Sequence, residues 1–189
     1  SLMVGIGKGA QNGILIKNAE ALEQMNKVNV LITDKTGTLT EGKPTLEIIK
    51  TTKNISENEL IKIAASLNQN SEHPLSTAVL NKAKDINIAL EKTNNFENIT
   101  GKGVKALINN ETYYLGNQTL INDLKIDIPT ELYQSFLEAQ NQAHTISFII
   151  QNPTVIGFLS FTDKIKPNSK IAISSLQQQG IEIIMMTGD

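Results

Sequence analysis

The stretch VNVLITDKTGTLTEG, residues 28–42, decides how this chain folds and which chemistry it can carry. Its first part, Val28 to Ile32, is a short apolar run rich in β-branched residues, which predicts a buried strand. The carboxylate after the strand can attack a phosphorus atom, the next lysine can offset the charge that gathers there, and the hydroxyls and glycine can hold phosphate oxygens. The alternative is a threonine-rich turn between two elements. We interpret the stretch as a phosphoryl-transfer site with the candidate residues Asp34, Lys35, Thr36 and Thr38.

The composition is that of a globular protein and excludes several functional classes. The chain has 189 residues, of which 40% are hydrophobic and 19% charged, with a formal net charge of −2. The negative charge and an aromatic content of 4% argue against a nucleic-acid partner. The chain has no cysteine, so disulfides and thiolate metal sites are excluded. No apolar stretch reaches the roughly 20 residues of a membrane span, so we expect a soluble segment. Because the sequence stops directly after an apolar strand, we also expect it to be part of a larger protein.

The pattern of predicted strands and helices changes twice along the sequence. Residues 1–44 and 161–189 carry the strand and helix pattern of a parallel-sheet domain, whereas residues 45–160 combine a helical hairpin with short, hairpin-connected strands. We therefore predict an α/β fold in which a partial parallel-sheet domain is split by an inserted α+β domain. The inserted domain is expected to contain an antiparallel sheet flanked by helical hairpins.

Local signals place the elements. Asn18 predicts the N-cap of a helix over 19–25, a capping box begins at Ser56, and Pro74 opens a helix that runs to about residue 86. The glycine-rich stretch 5–9 predicts a loop or a helix end rather than a nucleotide site, because no strand precedes it. Further helices are predicted over 129–142 and 167–179, and strands over 13–17, 45–51, 96–100, 104–108, 112–115, 145–150, 155–161 and 181–186.

A second hydroxyl-bearing turn follows the last predicted strand. By itself a Thr-Gly-Asp turn is more typical of a simple chain reversal. The carboxyl ends of parallel strands are, however, where open α/β sheets bind their ligands, and Asp34 stands at such an end. We therefore predict a phosphate cradle beside Asp34, formed by Thr187, Gly188 and Asp189.

Several motifs together resemble one family. The run DKTGTLTEG, residues 34–42, resembles the phosphorylation motif of P-type cation-transporting ATPases, which belong to the haloacid dehalogenase superfamily. SEHPL, residues 71–75, resembles the nucleotide-domain motif of the heavy-metal branch, with its copper and silver exporters. GKG at 101–103 and GN at 116–117 follow in the order of that branch. The resemblance covers essentially the whole chain and implies a partial haloacid-dehalogenase-like domain, residues 1–44 and 161–189, with a nucleotide-binding domain inserted over 45–160.

The resemblance implies a mechanism and two cofactors, ATP and Mg²⁺. ATP would bind the inserted domain and phosphorylate Asp34, and membrane helices outside this chain would convert that step into export of a heavy-metal ion bound elsewhere. Mg²⁺ would be held by the Asp34 carboxylate and the Thr36 carbonyl. His73 would orient ATP and Glu72 would hold His73. The family usually has a glutamate five residues before the motif histidine, and the asparagine found here implies weaker nucleotide affinity. The remaining pocket residues implied are Asn68, Gly101, Gly103, Gly116 and Asn117.

Departures from the superfamily pattern limit the alternatives. Thr36 stands where most of its phosphatases have a second aspartate as general acid and base, which argues against a stand-alone phosphatase and for slow hydrolysis of an aspartyl phosphate. A nucleotide-binding module without chemistry is the other alternative. The family's later lysine and Gly-Asp-Gly-x-Asn-Asp segment are absent, so we expect this segment to turn over ATP poorly alone. Asp163 resembles the hinge aspartate of the family or is a solvated acid. The parent is expected in a bacterial inner membrane, with this part in the cytoplasm.

Overall fold

The computed structural model describes residues 2–71 and 73–186. The chain divides into two compact units, which we call the split unit, up to residue 40 and from residue 165 onward, and the inserted unit, residues 41–164. The domain boundaries given above, at 44/45 and 160/161, stay a prediction. None of the helices in the described part of the chain combines the length and the apolar character needed to cross a bilayer.

The described residues form seven α-helices and eight strands. The helices are α1 (Leu2–Gln11), α2 (Ala19–Met25), α3 (Glu57–Asn68), α4 (Pro74–Asp85), α5 (Gln118–Leu124), α6 (Thr130–Asn141) and α7 (Ser169–Gln178). The strands are β1 (Val30–Asp34), β2 (Thr40–Thr51), β3 (Thr93–Ile99), β4 (Gly103–Ile108), β5 (Glu111–Gly116), β6 (Thr145–Gln151), β7 (Thr154–Ile165) and β8 (Glu182–Met186).

The split unit contains a parallel pair of strands. β1 and β8 run in the same direction, with Val30 opposite Glu182 and Asp34 opposite Met186, which agrees with the parallel sheet predicted from the sequence. The prediction that the strand before Asp34 is buried is wrong, because Ile32 of β1 is 60% exposed. Among the described residues this sheet has only two strands, so much of its apolar surface remains uncovered.

The amino-terminal segment differs from the sequence prediction. The glycine-rich stretch lies inside helix α1, and residues 14–18 have no regular structure where a strand was expected. The glycines let this helix pack closely, since a Cβ on Gly9 would lie 3.0 Å from Cδ1 of Ile16. The predicted cap of α2 is confirmed, because Oδ1 of Asn18 accepts the N–H of Ala21 at 2.8 Å.

The inserted unit is built on a six-stranded sheet in the order β2-β7-β6-β5-β4-β3. The pairings from β3 through β7 are antiparallel. Neighbouring residues of a strand point to opposite faces, and accordingly Phe148 and Ile149 of β6 belong to two different apolar cores. One core contains α3 and α4, and the other contains α5 and α6. The predicted fold class, α/β with an antiparallel sheet between pairs of helices, is therefore confirmed.

Local signals set the ends of several elements in this unit. The N–H of Glu59 donates to Oγ of Ser56 at 3.2 Å, which confirms the predicted cap of α3. Pro74 is the first residue of α4, as predicted. Asn109 and Asn110 have φ of 51° and 67° and make the tight turn between β4 and β5.

Candidate functional site

The predicted nucleophile stands at the carboxyl end of a parallel strand. Asp34 is the last residue of β1, its side chain is exposed, and it lies opposite Met186, the last residue of β8. The described ends of β1 and β8 therefore lie at the same edge of the sheet. The predicted phosphate cradle, Thr187, Gly188 and Asp189, lies outside the described residues.

The backbone after Asp34 forms a tight turn. Thr36 has φ −76° and ψ 124°, and Gly37 has φ 75° and ψ −19°, which are the angles of a type II turn with glycine at its third position. Thr40 closes this turn from within: its buried Oγ1 accepts the N–H of Gly37 and donates to the carbonyl of Lys35, both at 3.1 Å. We call residues 35–39 the phosphate loop. Thr36 and Thr38 are exposed on it and Lys35 is half-buried, so their groups are accessible to a ligand.

The carboxyl-terminal part of the split unit also holds the phosphate loop. The carbonyl of Leu39 accepts the N–H of Lys166 at 3.0 Å and Oγ of Ser169 at 2.8 Å. Nζ of Lys166 donates to the carbonyl of Gly37 at 2.7 Å. Sequence reasoning did not select Lys166 or Ser169, and no local pattern could have identified these contacts, since they join residues about 130 positions apart.

The donor chemistry of the loop fits Mg²⁺ although it does not form a complete metal site. Mg²⁺ prefers oxygen ligands, and it is commonly held by one or two carboxylates together with the phosphates of a substrate. The Asp34 carboxylate and the Thr36 carbonyl are both oxygen donors. Among the described residues, no group of three or more His, Cys, Asp and Glu side chains is placed to hold a metal ion. Mg²⁺ held by these two oxygens would take further ligands from the phosphates of a substrate.

His73 of the SEHPL motif caps helix α4. Its Nδ1 accepts the N–H of Leu75 at 3.2 Å, so in the neutral imidazole the proton is assigned to Nε2. The ring is exposed, which leaves the Nε2–H available as a donor to a ligand. Its predicted partner, Glu72, lies outside the described residues.

Asn68 lies behind this loop in a chain of hydrogen bonds. It is the last residue of α3 and is 5% exposed, and its Oδ1 accepts from Oγ of Ser76 on α4 at 2.8 Å. Oγ of Ser76 is also 2.9 Å from Oγ of Ser71, which accepts the N–H of His73 at 3.3 Å. A hydroxyl has one proton, so Ser76 donates either to Oδ1 of Asn68 or to Oγ of Ser71 at any one time. The network fixes the loop that carries His73. The predicted contact of Asn68 with a nucleotide stays a prediction.

The glycine and asparagine candidates lie together at one end of β4 and β5. Gly103 pairs directly with Gly116, and Asn117 caps helix α5 by accepting the N–H of Leu120 at 3.2 Å. Nδ2 of Asn117 donates to the carbonyl of Gly101 at 2.9 Å, so one side chain joins α5 to the glycine loop. Among the described residues no hydrogen bond joins this group to His73. Helix α3, which ends at Asn68, packs against β4 and β5.

A protein-family model described as haloacid dehalogenase-like hydrolase matches residues 28–189, which is most of the chain. This chain belongs to the haloacid dehalogenase-like hydrolase family. The match begins at Val28, the first residue of the stretch 28–42, and it includes the phosphate loop, the inserted unit and strand β8. Asp34 therefore lies within the part of the chain that the family model matches.

Two relatives of this chain are heavy-metal P-type ATPases. This haloacid dehalogenase-like chain is 40% identical over 189 residues to a copper-transporting P-type ATPase of Rhizobium leguminosarum bv. viciae, covering 100% of the chain and 22% of the relative. It is 43% identical over 189 residues to a copper-exporting P-type ATPase of Legionella pneumophila, covering 100% of the chain and 25% of the relative. The chain thus spans about a quarter of the length of these relatives. The resemblance to heavy-metal P-type ATPases is confirmed.

Solved structures agree with this assignment. The crystal structure of a zinc-transporting PIB-type ATPase in the E2.Pi state superposes with a TM-score of 0.65 at 30% identity, covering 100% of this chain and 30% of that chain. The catalytic CPx-ATPase domain CopB-B superposes with a TM-score of 0.66, covering 97% of this chain and 61% of that chain. Its identity of 24% supports the fold alone.

Proposed function

We propose that this chain is the ATP-binding and phosphoryl-accepting part of a heavy-metal-exporting P-type ATPase. The observation that carries the proposal is the exposed Asp34 at the carboxyl end of β1, followed by a type II turn that opens the backbone of the phosphate loop. A carboxylate in that position can reach a phosphate held at the edge of the sheet. The relatives named copper-transporting or copper-exporting ATPases support the same assignment.

Phosphoryl transfer at this site follows from the groups present. A carboxylate oxygen of Asp34 attacks the γ-phosphorus of ATP, the bond from that phosphorus to the bridging oxygen breaks, and ADP leaves with the electron pair. Lys35 and the amides of the phosphate loop stabilise the charge on the equatorial oxygens. When bound, Mg²⁺ would neutralise charge on the phosphates, held by the Asp34 carboxylate and the Thr36 carbonyl.

The loop favours a long-lived phosphorylated state over rapid hydrolysis. Thr36 has a hydroxyl where a second carboxylate would serve as general base for an attacking water. An aspartyl phosphate that lasts can drive a conformational change in attached domains before it is hydrolysed. This property suits a pump and argues against a phosphatase that must turn over quickly.

The inserted unit is proposed to bind the nucleotide. The outward Nε2–H of His73 can donate to an acceptor atom of ATP, and Glu72 is proposed to orient the ring. Gly101, Gly103, Gly116 and Asn117 are proposed to line the other side of the pocket, where bare backbone permits close approach. Oδ1 of Asn68 accepts from Ser76 and has a second lone pair, so it is proposed to accept one hydrogen bond from the nucleotide as well.

The transport step is assigned to parts outside this chain. Membrane helices of the parent protein are proposed to bind the ion and to move it when Asp34 is phosphorylated. Copper is proposed because the relatives quoted above are named for copper, while the superposed crystal structure is of a zinc transporter. The parent is proposed to lie in a bacterial inner membrane, with this part on the cytoplasmic side.

Nucleotide binding can be tested on the 189-residue chain by amide chemical-shift mapping during an ATP titration. We expect the shifts to cluster at His73, Gly101, Gly103 and Asn117, and to weaken in His73→Gln. The control is His144→Gln, which changes the other histidine, whose ring contacts Ser160. An unclustered response at millimolar ATP, or one equally weakened in both variants, would argue against the pocket.

A further inference from the structure

Lys166 holds the phosphate loop from a distant part of the sequence. Its Nζ donates to the carbonyl of Gly37 at 2.7 Å, across 129 residues of sequence. We propose that Lys166 is a positioning residue for phosphoryl transfer to Asp34 and that it acts by orienting the peptide between Gly37 and Thr38. This inference rests on the proposed function of Asp34.

The contact determines where an amide of the loop points. In a trans peptide the C=O and the N–H of the following residue point in opposite directions. Lys166 fixes the direction of the Gly37 carbonyl, and it thereby fixes the direction of the Thr38 N–H, which is one of the amides proposed to hold phosphate oxygens. The other side of Gly37 is fixed as well, because its N–H donates to Oγ1 of Thr40 at 3.1 Å. The turn is therefore held at both its N–H and its C=O.

The charge of the lysine adds a second effect. An ammonium group that donates to a carbonyl polarises the peptide, and this strengthens the N–H at the other end as a donor. The same positive charge lies 2.7 Å from the Gly37 carbonyl oxygen of the loop that is proposed to receive the phosphoryl group. Both effects favour a negatively charged phosphate ligand over an empty loop.

The backbone of this segment is anchored independently of the lysine side chain. The Leu39 carbonyl accepts both the N–H of Lys166 and Oγ of Ser169, and the Ser169 side chain is buried. Replacing Lys166 by methionine leaves these two bonds in place and removes only the bond to Gly37. We therefore expect Lys166→Met to fold, which makes the substitution a clean test.

The test combines a structural readout on this chain with a chemical readout on the proposed intact transporter. Amide spectra of wild type, Lys166→Met, Lys166→Arg and the control Lys170→Met report the environment of Thr38. The control loses the same charge on an exposed position of α7. The proposed intact transporter, with and without the same substitutions, is then titrated with beryllium fluoride in the presence of Mg²⁺, since trifluoroberyllate occupies the place of a phosphoryl group on a carboxylate. Asp34→Asn serves as the variant that cannot bind it.

We expect Lys166→Met to shift the Thr38 amide and to weaken beryllofluoride binding by about threefold to tenfold, the range of the net contribution of a typical intramolecular hydrogen bond. Lys166→Arg should restore much of both, and Lys170→Met should behave as wild type. Beryllofluoride binding that is equally tight in wild type and Lys166→Met, or an unmoved Thr38 amide, overturns the role of Lys166 alone. A wild-type transporter that binds no beryllofluoride overturns the proposed function of Asp34, and the positioning role falls with it.

Discussion

Replacing Gly103 by alanine should strongly destabilise the inserted unit. Gly103 has φ +146° and lies directly opposite Gly116 in the β4–β5 pair. A Cβ at this position would lie 2.1 Å from the carbonyl oxygen of Leu115 and 2.5 Å from Cα of Gly116, where real Cβ contacts essentially never fall below 3.0 Å. Both neighbours are backbone atoms, so relief requires the two strands to separate.

The structure gives the size of the effect by comparison with a second glycine of the same loop. Overpacking costs typically 1–3 kcal/mol and a side chain at positive φ costs roughly 1–2 kcal/mol, so Gly103→Ala should lose about 2–5 kcal/mol of unfolding free energy. Gly101 has φ +71° with no atom within 4 Å of an added Cβ. Gly101→Ala should therefore lose only the backbone cost, about 1–2 kcal/mol.

The assay is urea unfolding followed by tyrosine fluorescence. The chain has three tyrosines and no tryptophan, and Tyr113, Tyr114 and Tyr133 all lie in the inserted unit, so the signal reports on that unit. The unfolding free energy of each variant is compared with that of wild type, using one common slope of free energy against urea concentration. If Gly103→Ala loses no more stability than Gly101→Ala, the close approach of β4 and β5 described above is wrong.

Three further predictions concern the inserted unit and the local stability of the fold. His73→Asn keeps a side chain that can cap α4 but removes the imidazole, so ATP-induced chemical shifts should become smaller while the urea midpoint stays nearly unchanged. His73→Ala should in addition lose about 1 kcal/mol of unfolding free energy, because it also removes the cap. Equal stability of the two variants would contradict the capping role of His73. Burial, and secondly the hydrogen bond to Glu111, raises the pKa of Tyr113 to about 12. Because this folded-state pKa exceeds the unfolded value near 10, the contribution of Tyr113 to stability is complete below about pH 10 and is lost as pH rises through about 12. The difference between the ultraviolet titrations of wild type and Tyr113→Phe should show this late ionisation. A difference spectrum that is complete by pH 10 would refute it. Amide hydrogen exchange should be slower in β6 and β7, whose side chains form both cores, than in β1 and β8, and equal protection would contradict the exposure of the two-stranded sheet.

The elements that could be predicted from sequence are those set by neighbouring residues. Ser56 and Asn18 cap helices because a side chain reaches an amide three positions away, and such a signal is visible in any short window. Helix α5 was not predicted, because its cap, Asn117, is interpreted from the sequence as a binding residue rather than as the start of a helix. Burial of β1 could not be predicted, since the exposure of a strand depends on what covers it rather than on its own apolar residues.

In the candidate site, too, features set by neighbouring residues could be predicted, and features set by distant residues could not. The phosphate loop and His73 were found because their residues are contiguous. The contacts of Lys166 and Ser169 with the loop depend on the fold that brings distant segments together. Asp163, for which two interpretations were open, accepts the N–H of Gly42 at 3.2 Å and of Lys43 at 3.1 Å. It therefore ties β7 to β2 within the inserted unit and is more than a solvated acid.

The central claim is that Asp34 accepts the γ-phosphoryl group of ATP. The most direct measurement is acid-quenched labelling with γ-³²P-ATP in membranes that contain the proposed intact transporter, followed by hydroxylamine treatment, which cleaves acyl phosphates. The account predicts a hydroxylamine-sensitive label in wild type and in the control Asp127→Asn, whose carboxylate is exposed in the inserted unit, and no label in Asp34→Asn. A label that survives in Asp34→Asn, or its absence from wild type at saturating ATP, Mg²⁺ and copper, would contradict the account.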